Sequence, residues 1–182
     1  TMLRLLGNGN ELIWRSERSG WSHLFLVNRS TGESKPITSG NWVVRSIEYI
    51  DESKRQVWFT ANGVDPKQDP YHIHFCRTNL DGSGLLDLTP VDGNHSVQFS
   101  PDRTFYVDTY SRVDSAPVHE LRRSSDGSLV KVLEKANIDV LLKNGVRLPE
   151  RFIAKGRDGK TDIWGIVVKP STGWMLPGAA SI

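Results

Sequence analysis

Cysteine is nearly absent from this chain of 182 residues: Cys76 stands alone, so no internal disulfide can close, and no Cys-X-X-Cys spacing offers a zinc site. Long apolar runs are missing as well. The longest, residues 24–27 and 166–168, fall far short of the roughly 18 to 20 residues that a membrane helix needs, and no span is expected in this segment. Neither sign of charge dominates. Lys and Arg number 23 against 21 Asp and Glu, a formal net charge of +2, and the basic residues are scattered, which argues against a nucleic-acid partner. No basic and apolar leader follows Thr1, so any targeting segment is expected to lie outside these residues. What remains is an ordinary globular composition, 37% hydrophobic and 24% charged. A chain of this length buries roughly 70% of its unfolded surface and needs no metal or disulfide staple to do so.

Helical periodicity is almost missing too. In its place, short alternating runs rich in β-branched and aromatic residues recur between clusters of Gly, Asn, Asp, Ser and Pro, the pattern of many short strands. Residues 11–15, 23–28, 33–38 and 42–50 read as four successive strands, with turns at Ser30-Thr31-Gly32 and Ser39-Gly40-Asn41. A second set follows at 56–61, 71–78, 84–89 and 95–100, with Asp81-Gly82 as a hairpin signal. A third begins at 104–109 and continues through 118–123, a turn at Asp126-Gly127, and 129–133. The aromatic anchors Trp14, Trp58 and Tyr106 stand 44 and 48 residues apart, a blade-sized period. The expected fold is therefore all-β: a partial β-propeller of about three four-stranded antiparallel blades over residues 1–135, an arc cut from a larger wheel. A β-sandwich with coincidental spacing is the alternative.

Beyond the blades the texture changes. Residues 136–149 read as a linker whose short helix is capped by Asn137 and stopped at Gly145. Residues 150–170 read as a hairpin around Arg157-Asp158-Gly159-Lys160, outside the blade repeat and opening a second domain. The Pro- and Gly-rich residues 171–182 are expected to be a disordered or foreign tail.

Few residues fall in a pattern that carries chemistry. Gly20-Trp21-Ser22-His23-Leu24 comes nearest to a Gly-X-Ser-X-Gly nucleophile elbow, but leucine stands where the second glycine must be, and neighbouring Ser22 and His23 on a strand point to opposite faces. His72 and His74 share a strand face, yet two ligands do not make a metal site, even if His95 or His119 approaches. Asp51-Glu52, beside Lys54 and Arg55, reads as a solvated turn cluster, and Cys76 as a small core residue. Gly82-Ser83-Gly84 lacks the helix of a phosphate cradle. Trp14, Trp58 and Trp164 read as core; Trp21 and Trp42 follow turns and could line a surface or pack between blades, with core packing the favoured reading. No catalytic, cofactor-binding or metal-binding residue is assigned, and no cofactor is expected.

The ordered strings carry more. IWRSERSGWSHLFL at residues 13–26, ITSGNWVV at 37–44, HSVQFSPD at 95–102, FYVDTYS at 105–111 and AKGRDGKTD at 154–162 together resemble the late propeller blades of the dipeptidyl peptidase IV family and its entry into the hydrolase domain. The resemblance covers about residues 8–170. It implies a serine exopeptidase of the prolyl oligopeptidase class, releasing X-Pro or X-Ala dipeptides from peptide N-termini, in which an eight-bladed propeller caps an α/β-hydrolase domain. The family's triad and oxyanion tyrosine fall downstream of the matching residues. Its substrate-anchoring glutamate pair falls upstream, and no Glu-Glu pair occurs here, so no functional residue carries over. Residues 171–182 depart from the family, which continues there toward Tyr-Pro and an apolar strand. Implied partners are peptide substrates through the parent enzyme, the remaining blades and the hydrolase domain. Open blade faces are expected to drive self-association. The family also implies a periplasmic or envelope location. A non-enzymatic binding propeller or scaffold is the rival reading.

Overall fold

A computed structural model describes residues 2–7 and 9–170; the expectation for residues 171–182 falls outside them. Apolar residues alternate along most of the chain, and within each sheet every strand pairs antiparallel with the next. The first antiparallel sheet runs β1 (Met2–Leu5), β2 (Glu11–Ser16), β3 (His23–Asn28) and β4 (Ser34–Pro36) in that spatial order. The second follows the same meander through β5 (Val43–Asp51), β6 (Gln56–Asn62), β7 (Ile73–Asn79) and β8 (Leu86–Asp87). The third comprises β9 (Asn94–Phe99), β10 (Phe105–Arg112), β11 (Ser115–Arg123) and β12 (Leu129–Lys135). A five-residue helix α1 (Asp139–Lys143) and the hairpin β13 (Glu150–Lys155) and β14 (Asp162–Val167) complete the described chain. The fold is all-β with four antiparallel sheets.

The strands were expected in nearly these places, but their grouping differs. Residues 42–50 do not close the first sheet: Val43–Asp51 opens the second, Asn94–Phe99 opens the third, and Met2–Leu5 supplies the first strand of the first. Backbone pairing explains the shift. Ile37 N bonds Leu24 O at 2.8 Å and Leu88 N bonds Phe75 O at 2.8 Å, so the fourth strand ends there and the chain crosses to the next sheet at Gly40, whose φ is +129°. A turn signal marks a change of direction without saying whether the chain folds back along its own sheet or steps to its neighbour. The anchor spacing shifts too. Equivalent bonds, Arg29 N to Asn10 O, Leu80 N to Arg55 O and Ser124 N to Thr104 O, make Asn10, Arg55 and Thr104 counterparts. Trp14 therefore corresponds to Phe59, not to Trp58, and the two tryptophans occupy opposite faces of their sheets.

Those faces make the core. Ile13, Leu24 and Ile37 of the first sheet pack on Val44, Val57, Phe59 and Cys76 of the second, with Trp42 stacked on Phe59 at 6.0 Å between ring centroids. On the other side of the second sheet, Trp58, Phe75 and Leu88 meet Tyr106 and Phe99 of the third, Trp58 lying edge-on to Phe99 at 5.2 Å. Each sheet thus hides its apolar faces only against a neighbour, the energetic logic of stacked blades. At the outer end Leu3 and Leu5 are 58% and 60% exposed, and Trp14 is screened by the guanidinium of Arg18 at 4.2 Å.

α1 is not capped by Asn137 as expected: Ile138 holds the N-cap position without a side-chain bond, and Asn137 acts one residue earlier. Asn137 Oδ1 accepts from Asp139 N at 2.8 Å, and Gly145, at φ +84°, follows the last turn.

Candidate functional site

None of the motifs weighed in the sequence converges into a reactive group. Ser22 Oγ donates to Val44 O at 3.1 Å, whereas His23 Nδ1 turns to Thr38 Oγ1 at 3.0 Å and Nε2 to Gly40 O at 2.9 Å, so serine and histidine diverge as strand geometry requires. His72 Nδ1 meets Asp92 at 3.1 Å, while buried His74 donates Nδ1–H to Thr89 O at 2.8 Å. His119 pairs with Thr109 Oγ1 at 2.8 Å. Among the described residues no three His, Cys, Asp or Glu side chains are grouped as metal ligands. Asp51 accepts from Ser53 and Lys54 within its own turn, and Glu52 from Gly7 N at 2.8 Å. Cys76 is wholly buried, and that burial pushes its thiol well above the ordinary range, away from reactivity. Gly82 and Gly84 sit in the β7–β8 hairpin with φ of +88° and +68°. Trp42 is core, while Trp21 is 43% exposed.

The structure instead gathers charge in two places that the sequence did not announce. The first lies where the hairpin meets the blades. Arg112 Nη1 binds Asp92 at 2.6 Å and its Nε binds Asp114 at 2.8 Å; Arg151, from β13, reaches the same two carboxylates at 3.2 Å each. Two arginines and two aspartates thus form a closed ring holding the hairpin against the β8–β9 connection and the β10–β11 turn. Burial opposes ionisation of Asp92 and Asp114, but the arginine charges outweigh it and hold both carboxyls below their usual range. Beside this ring a cavity of about 680 Å³, lined by Asp92, Tyr110, Arg112, Lys135 and Ile138 among others, runs under the linker.

The second place is inside the third sheet. Asp108, fully buried, accepts from His95 Nδ1 at 2.9 Å, and His95 Nε2 donates to Val91 O at 2.7 Å. Arg122 forks onto Glu120 Oε2 through Nε at 2.9 Å and Nη2 at 2.7 Å, donates to Gly127 O at 2.8 Å, and brings its Nε within 3.9 Å of Asp108. Tyr110 closes the other oxygen of Glu120 at 3.2 Å. Every buried charge here has an opposite charge or a dipole, so the network positions strands and presents no free nucleophile or base. These residues come from β9, β10 and β11, and no spacing rule joins them.

Comparison with known proteins gives this architecture a context. The family described as the dipeptidyl peptidase IV (DPP IV) N-terminal region matches residues 1–117. The probable dipeptidyl peptidase 4 of Emericella nidulans is 34% identical over 106 residues, 58% of this chain and 13% of that protein. Its namesake in Aspergillus flavus is 33% identical over 107 residues, again 58% of this chain and 13% of the relative. The alignments thus span about 13% of the length of these curated relatives. Among solved structures, Porphyromonas gingivalis dipeptidyl peptidase 4 superposes on 93% of this chain and 23% of its own length with a TM-score of 0.71 at 23% identity, a likeness of fold.

Proposed function

The chain belongs to the dipeptidyl peptidase IV N-terminal-region family, and on that premise we propose that it forms blades of a serine exopeptidase that releases X-Pro or X-Ala dipeptides from peptide N-termini. The observation that carries this reading is the family match over residues 1–117, which runs through two complete four-stranded sheets and the first two strands of a third. In such an enzyme the blades restrict access to a catalytic cavity and hold a substrate against the nucleophile, so their contribution is orientation and exclusion rather than bond chemistry. The residues that break the peptide bond would belong to a hydrolase domain entered through the β13–β14 hairpin, and the ring of Asp92, Arg112, Asp114 and Arg151 would fix that domain's first strands on the wheel. The sequence contains no Gly-X-Ser-X-Gly elbow.

The end faces support a place within a larger wheel. Leu3 and Leu5 stand more than half exposed at one end, and on the far face of the third sheet the paired Val107 and Leu121 are only half-buried. Kept apart from neighbouring blades, the chain is expected to associate through these faces. A concentration-independent monomer by size exclusion with light scattering would count against open ends. As in exported members of the family, the parent would act in the periplasm or cell envelope, which fractionation with an epitope tag would test.

The activity itself is tested by assaying the 182-residue chain and the complete gene product side by side on a chromogenic Gly-Pro substrate. Turnover by the complete product alone is expected. Hydrolysis by the short chain that survives purification, or none by the complete product, would overturn the reading. The latter outcome, with no nucleophile elbow encoded downstream, would leave a binding scaffold.

A further inference from the structure

At the end of the sheets opposite the hairpin, the β5–β6, β9–β10 and β11–β12 turns surround a cavity of about 570 Å³ between the second and third blades. Four cationic side chains line it, Lys54, Arg77, Arg103 and Arg123, with a single carboxylate, Asp102. That carboxylate is already engaged by its own turn: it accepts from Ser100 Oγ at 2.6 Å, Thr104 N at 3.2 Å and Thr104 Oγ1 at 2.8 Å.

The arginines are fixed without being neutralised. Arg77 crosses from β7 to donate to Ser124 O at 3.0 Å and Ser125 O at 2.9 Å, carbonyls that orient its fork but carry no charge. Burial disfavours its cation, with the more distant Asp126 as the opposing influence. Arg103 lies over Tyr49 at 3.8 Å and Phe99 at 5.2 Å, and Arg123 over Phe105 at 5.5 Å. Stacking holds a guanidinium plane while leaving its N–H edges free to donate. Among the described residues, none of these three arginines has a carboxylate within ion-pair distance.

A second and independent feature marks the same cavity. Among the described residues only three buried side-chain polar atoms lack a hydrogen-bond partner, and two of them, Trp58 Nε1 and Ser124 Oγ, belong to residues in its wall. Trp58 is 5% exposed and Ser124 is 3% exposed. Native proteins leave few such groups unpaired, and here two lie beside three arginines that have no carboxylate within ion-pair distance.

We propose that this inter-blade cleft binds a tetrahedral oxyanion, a phosphate group, held by Arg77, Arg103 and Arg123, toward which Ser124 would turn its unpartnered hydroxyl. A phosphate suits the site better than a carboxylate, because its oxygens accept from several directions at once, as guanidiniums arriving from β7, the β9–β10 turn and the end of β11 require. The site is independent of the peptidase reading, lying at the far end of the strands from the hairpin.

The test is isothermal titration of the full chain with sodium phosphate, against sodium chloride at matched ionic strength, following tryptophan emission in parallel. Saturable phosphate binding absent with chloride is expected. Arg123→Gln should weaken it roughly tenfold, the loss of one charge-assisted bond. Ser124→Ala should weaken it severalfold, and the remote Lys35→Gln should leave it unchanged. Phosphate heats no different from those of chloride would overturn the proposal. So would wild-type affinity in Ser124→Ala alongside weakened arginine variants, since that outcome describes diffuse charge and no built site.

Discussion

Replacing Asp108 by Asn probes the third sheet at its most committed point. Asp108 is fully buried on β10, receives His95 Nδ1–H at 2.9 Å and lies 3.9 Å from Arg122 Nε. The amide can still accept from His95, but the charge that strengthens that bond is gone, and the new N–H group confronts Arg122. Arg122 keeps Glu120, so the cost is that of one buried charge-assisted hydrogen bond, about 1.5–3 kcal/mol. Against a total of about 5–15 kcal/mol for a domain, that is a large fraction. At about 2–4 °C per kcal/mol for a chain of this size, the melting temperature should fall by about 3–12 °C. Urea unfolding followed by tryptophan emission reads the change, since Trp58 sits across the interface against Phe99 of β9. A double-mutant cycle with His95→Gln should return a coupling of about 0.5–3 kcal/mol. A loss below about 1 kcal/mol in Asp108→Asn, with no coupling to His95, would refute the claim that this pair holds β9 to β10.

Three further outcomes follow from the same geometry. Gly40→Ala places a Cβ within 2.5 Å of Trp42 Nε1 at a φ of +129°, so steric overlap and backbone strain together should cost about 2–4 kcal/mol in urea unfolding, whereas Gly32→Ala, whose Cβ meets nothing within 4 Å, should cost less. Burial lowers the His74 pKa, but the hydrogen bond and charge of Asp87 outweigh it and leave the folded value above the ordinary 6.5. Its contribution is therefore complete below 6.5 and lost as pH rises through the folded value, and Asp87→Asn should flatten that part of a stability-against-pH curve. Arg151→Gln opens the ring of two arginines and two aspartates, which should cost about 1–3 kcal/mol and speed amide exchange in residues 150–167 while leaving the β6–β7 pair protected.

Strand positions were legible because period-two alternation and turn residues act locally: Asp81-Gly82 and Asp126-Gly127 do form the expected turns, with both glycines at positive φ. The frame was not legible. Whether residues 43–51 close one sheet or open the next depends on which backbone carbonyl captures Ile37 and Leu88, a competition between distant partners that leaves no local mark. β1 escaped notice for a related reason: Leu3 and Leu5 are its only apolar alternation, too short to separate from a loop. Charge networks were the least visible of all. Arg151 finds its carboxylates 37 and 59 residues away, and Arg77 finds its carbonyls 47 and 48 away, so neither cluster has a spacing to read. The ordered strings succeeded where spacing failed, since their succession along the chain reports ancestry whatever each residue touches.

The central claim is that these sheets are consecutive blades of one wheel coupled to a hydrolase. An experimental structure of the complete gene product measures this directly. The account predicts sheets over residues 2–36, 43–87 and 94–135 stacked side by side within a closed ring, with Arg151 bridging Asp92 and Asp114 at the join to an α/β domain. Three sheets folded into a self-contained sandwich, with Leu3, Leu5 and β12 facing water and no ring around them, would contradict it.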